Sequence, residues 1–467
     1  MGSIVNSETA HTLTALERIG PKGYLRYVFP FQLQEDYDLE EVARVIQAGY
    51  EALTQKIPEV ACEAIPDTNS EQKGVMKFER REHGEAVRVI VKDLRDSESF
   101  SSSYAELKSK AFPVASFDAD TLCRRSVWPS TGERLPISLV QANFIRGGLI
   151  LTWCILHLAG DGTSFYTWTK VWAEGCCRAQ GLEIPDPVQL SEDLWKDRKQ
   201  VTRSSGLNAG KIEDHPEYTL LPFTPTEAPP KMLSPNHRGQ VFYFSPQSLA
   251  ALKTEASPEN ATLPSNQKWI STNDALSALL WRTVMAVQSP LETLEGNPVS
   301  IFNIAIDGRQ RTDPKVRTDT LGCFLEYVAV EAPIRKMLSS LNVADLAVQI
   351  RGAILQADNQ FTDDVVALVE QLEDVDRLVP TAFLDVPGFN CVQTSWINFQ
   401  LYALDWGPLL SHKIEAVRTP HVGCINGLQV VLPVLPNGGM EVLVGVEESC
   451  LNRLLNDPLL TKFGVAR

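Results

Sequence analysis

No apolar run in this chain approaches the roughly 20 residues needed to cross a bilayer as a helix, so no membrane span is expected. Positive charge is in deficit. Lys and Arg number 43 against 58 Asp and Glu, a net charge of -15, and a phosphate-binding surface spread over the protein is excluded. Nucleic acid is therefore not an expected partner, although a local basic patch for a small anionic co-substrate remains compatible. The nine cysteines (Cys62, Cys123, Cys154, Cys176, Cys177, Cys323, Cys391, Cys424 and Cys450) are odd in number and lack C-x-x-C spacing. This argues against a disulfide framework or a structural zinc site and fits a reducing compartment. Three catalytic signatures are also missing. Without G-x-S-x-G, G-x-x-x-x-G-K-[ST] or H-E-x-x-H, the common serine hydrolases, nucleotide triphosphatases and helical zinc proteases are not expected. The first residues, Met1 to Glu8, show no hydrophobic signal region, and Asn6 stands where a myristoylation site needs Ser or Thr. The expectation is a soluble, cytoplasmic protein.

What is present is an ordinary globular composition over 467 residues, 44% hydrophobic and 22% charged, a length that suggests two or three domains of roughly 150–200 residues each. Strand and helix signals alternate from residue 24. Tyr24–Phe31 reads as a strand whose Pro30 requires a sheet edge. An amphipathic helix follows, with Asp38 as N-cap, Leu39, Val42, Ile46, Leu53 and Ile57 on its apolar face, and Pro58 as its stop. Further strands are predicted at residues 86–91, 136–145 and 148–156. Residues 185–239 change character: six prolines fall between Pro216 and Pro235, predicting a long crossover between two halves. Beyond it a strand restarts at Gln240–Phe244, helices are predicted at 272–287 and 343–355, and a hairpin at 427–446 turns around Pro436-Asn-Gly-Gly439.

The most informative stretch is His157-Leu-Ala-Gly-Asp161-Gly162 at the end of the apolar run Gly148–Leu156. A helix is predicted directly behind it, with Thr163 or Ser164 as cap, Phe165, Trp168, Trp172 and Cys176 on its apolar face, and Gly181 as stop. The motif thus sits on a strand–turn–helix junction, where a rigid scaffold presents side chains. A histidine placed there can take a proton from a substrate hydroxyl, general-base work suited to a side chain that titrates near neutrality. Two blander readings compete. A catalytic metal usually needs three protein ligands, and no second His or carboxylate cluster stands nearby. A buried, hydrogen-bonded structural histidine is the commoner fate of an isolated H-x-x-x-D.

Downstream residues shift that balance. Asp307-Gly-Arg309, Thr394-Ser-Trp396 and Asp405-Trp-Gly407 follow His157-Leu-Ala-Gly-Asp161-Gly162 in order. Together, over roughly Tyr24 to Phe463, they resemble the BAHD-type acyltransferases, and most of all the fungal branch that includes trichothecene O-acetyltransferases. The resemblance implies an α/β fold of two similar mixed-sheet domains of the coenzyme A-dependent acyltransferase type, with a channel at their interface. It implies that His157 is the general base and that Asp161 points away from substrate to pair with Arg309. Thr394 and Trp396 would face the oxyanion, Asp405 and Gly407 would be structural, and Ser271 and Thr272 would contact coenzyme A. Three departures stand out: Trp406 for Phe and Pro408-Leu409 for Trp-Gly in the D-F-G-W-G signature, and Cys323 after Gly322 where Asn is usual.

The function so implied is a coenzyme A-dependent O-acyltransferase, acetylating a hydroxyl of a terpenoid, alkaloid or polyketide secondary metabolite. It would use acetyl-CoA as co-substrate, with no bound cofactor and no metal, and act as a monomer. The expected division is residues 1–190, a crossover at 191–239 and residues 240–467, with a segment able to swap between halves. Two alternatives are a condensation-type enzyme using carrier-bound donors and a non-catalytic binder of the same fold. Condensation domains usually carry a second His where this chain has Leu156.

Overall fold

The computed structural model describes residues 13–130, 132–190, 203–384, 388–420 and 424–467. Two large sheets organise the chain, and each forms where apolar segments are long enough to be covered on both faces. In the first half lie β1 (Tyr24–Gln32), helix α1 (Leu39–Lys56), β2 (Val89–Asp93), β3 (Ser138–Ile145), β4 (Gly148–Leu156) and helix α2 (Gly162–Ala179). Their strand order is β1-β4-β3-β2, antiparallel except for the β2–β3 pair. β4 is interior and buried along its whole length, which accounts for its unbroken apolar run. α1 and α2 pack on one face. Trp172 of α2 lies 5.0 Å from Trp153 of β4 and 5.3 Å from Tyr50 of α1, ring to ring.

The second half supplies β5 (His237–Phe244), α3 (Pro246–Glu255), α4 (Thr272–Gln288), β6 (Val299–Asp307), β7 (Leu325–Pro333), α5 (Val343–Gln356), α6 (Asn359–Glu370), β8 (Cys391–Ser395), β9 (Leu428–Val431), β10 (Met440–Glu447) and β11 (Gly464–Ala466). These strands form one sheet in the order β7-β6-β8-β9-β10-β5-β11. β8 runs parallel to both β6 and β9, and the other pairs are antiparallel.

The halves are stitched by a segment of the second lying on the first. Val28 and Arg418 exchange backbone hydrogen bonds of 2.8 and 3.0 Å, and Glu415 N–H donates to the Pro30 carbonyl at 3.2 Å. Pro30 is tolerated because this edge contact uses only its carbonyl. Trp406, Tyr402, Leu410 and Val417 then join the core of the first sheet. Arg418 is buried and donates to Glu441 of β10 at 2.6 and 2.8 Å and to the carbonyls of Ala111 and Phe112.

Two local expectations are corrected. The strand predicted at 86–91 starts at Val89, because Glu82 caps a helical turn at His83–Ala86 by accepting from Gly84 and Glu85 N–H. The cap of α2 is Asp161 rather than Thr163 or Ser164: its carboxylate accepts from Ser164 N–H at 3.1 Å. Within the segment read as the crossover, and without contradicting that reading, Tyr218–Leu220 pairs antiparallel with Leu378–Pro380. Residues 191–202 lie outside the described ones. Among the described residues no helix is long and apolar enough to cross a membrane.

Candidate active site

β4 delivers His157 at the point where the strand ends. The chain turns through His157–Ala159 and enters α2 at Gly162. Gly162 is needed for packing, because a β-carbon there would come within 2.6 Å of the Phe399 ring. His157 is half-buried, edge-on to Phe165 at 5.7 Å, with its Nδ1 4.0 Å from the Cys323 thiol. Burial lowers the imidazole pKa from its ordinary value of 6.5, while Asp161 and hydrogen bonds to the backbone of His157 and Gly160 hold it back in part. The ring is therefore neutral at physiological pH and able to accept a proton.

Asp161 has no capacity left for proton relay. One oxygen accepts from Ser164 N–H at 3.1 Å and Arg309 Nη2 at 3.2 Å. The other accepts from Arg309 Nη1 at 2.5 Å and Phe324 N–H at 2.9 Å. Arg309 follows β6, is fully buried, and lies over the Phe324 ring at 4.2 Å. It also donates to the carbonyls of Thr320 and Gly322 and to Asp307. Burial alone would lower its pKa, but Asp161 and Asp307 outweigh that and keep it charged. Ser164 completes the clamp, donating to the Gly322 carbonyl at 2.9 Å and accepting from Gly322 N–H at 3.0 Å. The turn after His157 and the 320–324 loop are thus held as one unit.

Thr394 and Trp396 come from the end of β8 and line the same cavity as His157 and Asp161, a space of about 210 Å³. Thr394 is half-buried. Trp396 is buried, 5.2 Å from the Tyr27 ring. An imidazole, a hydroxyl and an indole thus line a single, largely apolar chamber.

The remaining sequence-predicted residues lie elsewhere. Ser271 caps α4 in a reciprocal box with Asp274, which Arg351 holds at 2.7 Å. The start of α4 reaches the end of β8 through Asn273 and Ser395, 3.2 Å apart. Asp405 and Gly407 do not line the cavity. Asp405 accepts from Gly407 N–H at 2.8 Å, and Trp406 between them is buried against Phe31, Phe29 and Trp172. Among the described residues no group of three or more His, Cys, Asp or Glu could hold a metal ion.

Comparison with known proteins narrows the reading. The transferase family matches residues 113–449. The chain belongs to this family. A trichothecene 3-O-acetyltransferase-like N-terminal domain matches residues 24–176. An enoyl-CoA isomerase/hydratase of Penicillium crustosum is 27% identical over 96% of this chain, but the chain spans only 50% of that protein's length. An eremophilane O-acetyltransferase of Penicillium rubens is 27% identical over 97% of this chain and 98% of its own. In fold, the transferase is similar to TRI101 of F. graminearum solved with coenzyme A and deoxynivalenol: TM-score 0.83, 24% identity, 98% of this chain and 99% of that one.

Sequence reasoning overlooked several residues of this transferase's cavity. Tyr27, Trp128 and Tyr327 line it, and Ser164 and Phe324 hold the clamp beside it. The alternation of β1 placed Tyr27 on one face with Phe29 and Phe31. Nothing in the sequence showed which element that face would meet.

Proposed function

We propose that the chain transfers an acyl group, acetyl in the simplest case, from a coenzyme A thioester to a hydroxyl of a small secondary metabolite. It is an acyltransferase, and the reaction needs no metal or resident cofactor. The observation that carries this reading is the shared cavity. His157 from the first half and Thr394 and Trp396 from the second line one chamber, while Asp161 is committed to Arg309 and to the backbone N–H groups of Ser164 and Phe324.

In this mechanism His157 takes the hydroxyl proton as the oxygen attacks the thioester carbonyl. Thr394 and Trp396 donate to the developing oxyanion. The carbon–sulfur bond then breaks, and the thiolate leaves with the proton returned by His157. No acyl-enzyme forms, so kinetics are sequential. The donor is expected from the side of Ser271 and Thr272, at the start of α4. The same reading takes residues 1–190 and 240–467 as the two domains, joined by the 191–239 crossover, and the protein as a cytoplasmic monomer. The nine cysteines, all buried and none bridged to another, are in keeping with a reducing compartment. The test is thiol release from acetyl-CoA against a panel of hydroxylated terpenoids, alkaloids and polyketides, with product masses fixing the group transferred. An acyl-enzyme that accumulates and turns over competently would overturn the direct-transfer mechanism.

A further inference from the structure

Cys323 meets the imidazole of His157 from inside the fold. Its sulfur is fully buried and lies 4.0 Å from His157 Nδ1. Both chain neighbours of Cys323 are pinned by the clamp around Asp161. Gly322 exchanges hydrogen bonds of 2.9 and 3.0 Å with the Ser164 hydroxyl, and its carbonyl also accepts from Arg309 at 3.1 Å. Phe324 N–H donates to Asp161 at 2.9 Å. Behind the sulfur stands Gly20, where a β-carbon would come within 3.3 Å of it and 3.0 Å of the Glu17 carbonyl. Leu325 N–H donates to the sulfur. The thiol is therefore boxed in against the ring, which Phe165 meets edge-on at 5.7 Å.

We propose that Cys323 is the positioning residue of the base: its sulfur closes the Nδ1 side of the ring, keeps the ring proton on Nδ1 and leaves the Nε2 lone pair for the acceptor hydroxyl. The proposal rests on the acyl-transfer reading above. The partner of one ring nitrogen decides what the other presents. Hydrogen bonds to the backbone of His157 and Gly160 favour a protonated ring nitrogen, as acceptor carbonyls do. A histidine's own carbonyl is within reach of Nδ1 alone. Sulfur is a weak acceptor, so it seats beside that N–H without competing for its proton. A carboxylate in the same place would orient the ring but also hold it as imidazolium. The thiol orients it without charge, because burial pushes the Cys323 pKa far above its ordinary value and keeps it protonated. The other ionisable groups nearby are accounted for. Asp161, whose charge bears on the imidazole, is held by Arg309. Glu17 faces the sulfur from the Ala15–Arg18 turn and accepts from Thr14 at 2.8 and 3.0 Å. Arg26, Tyr24 and Tyr27 of β1 and Tyr327 of β7 share the chamber wall. The clamp thus has a second task, which is to deliver Cys323 to the ring.

The experiment records the ring-nitrogen resonances of the purified full chain carrying isotope-labelled histidine, together with thiol release from acetyl-CoA and an accepted alcohol. Among the seven histidines, His157 is identified by the signals that His157→Ala loses. The wild-type ring is expected to carry its proton on Nδ1 above pH 6.5, the ordinary value. In Cys323→Ala both tautomers are populated and kcat falls about tenfold, while the KM for acetyl-CoA stays within about twofold. Water entering the vacated space moves the acid limb of kcat/KM up toward 6.5. Cys323→Ser, which restores a polar atom, returns the wild-type tautomer and most of kcat. A wild-type ring protonated on Nε2 overturns the proposal without any variant. So does a folded Cys323→Ala with the wild-type tautomer and acid limb, even if it melts earlier, since that is packing alone. If no alcohol releases thiol but the tautomers follow this pattern, the acyl-transfer reading fails while Cys323 keeps its hold on the ring.

Discussion

His157 and Asp161 stand four residues apart and do different work. His157 is desolvated beside Phe165 and Cys323, so the neutral, proton-accepting form persists to lower pH than for a histidine in water. The acid limb of kcat/KM is therefore expected below pH 6.5, the ordinary value, and a limb above it would contradict the assignment. Asp161 accepts from four donors, two of them on a guanidinium that no water reaches. Asp161→Asn leaves Arg309 charged and underpaired in the interior, where breaking a buried pair costs about 3–5 kcal/mol. Denaturant unfolding should show that loss, and an unchanged midpoint would deny Asp161 its anchoring role. At this scale the sequence was legible through the resemblance: the order of the motifs, rather than the chemistry of any one residue, singled out His157, Asp161 and Arg309, whereas Tyr27, Trp128 and Tyr327 look like any other core aromatic until the sheets are placed.

Elements carry the next level of constraint. The long periodic segments are visible in sequence because burial enforces their pattern: α1, α2, β4 and the β9–β10 hairpin lie within a few residues of expectation. Short or polar-capped pieces are not, as Glu82 and Asp161 show, because a side chain reaching back to a backbone N–H leaves no periodicity. Gly407 holds the turn that aims Trp406 into the first core. Its φ of +84° is left-handed, and Gln180 lies within 2.2 Å of where a β-carbon would stand. Gly407→Ala should therefore destabilise by about 1–3 kcal/mol, read from thermal or denaturant melting, and a neutral result would show that the turn is free to rearrange.

His215 anchors the crossover to α6. Burial would lower its pKa, but Glu217 at 2.7 Å and Asp364 at 3.1 Å raise it above 6.5. A raised native value stabilises fully below the unfolded pKa and is lost as pH rises through the native one. His215→Gln should thus cost most stability near pH ~5.5 and least near pH ~9. Equal costs at both would show that the imidazolium contributes nothing.

At the scale of the whole molecule, the active chamber exists only because two halves of the chain meet. β8 brings Thr394 and Trp396 to the end of β4, Arg309 reaches across to Asp161, and the Glu415–Arg418 stretch lies along β1. Separations of this kind, 148 residues between Asp161 and Arg309, leave no local pattern. Sequence order alone suggested them, through a resemblance to a known family that also implied an interface channel, but most residues lining the cavity could not be read. The central claim is that His157 moves the proton in a direct transfer from thioester to hydroxyl. It is tested most directly by the initial rate of thiol release from acetyl-CoA, with an accepted alcohol, for the wild type and for His157→Ala. The account predicts a fall of about 10²–10⁴ with an unchanged melting profile. A variant that is folded and keeps most of its rate would contradict it.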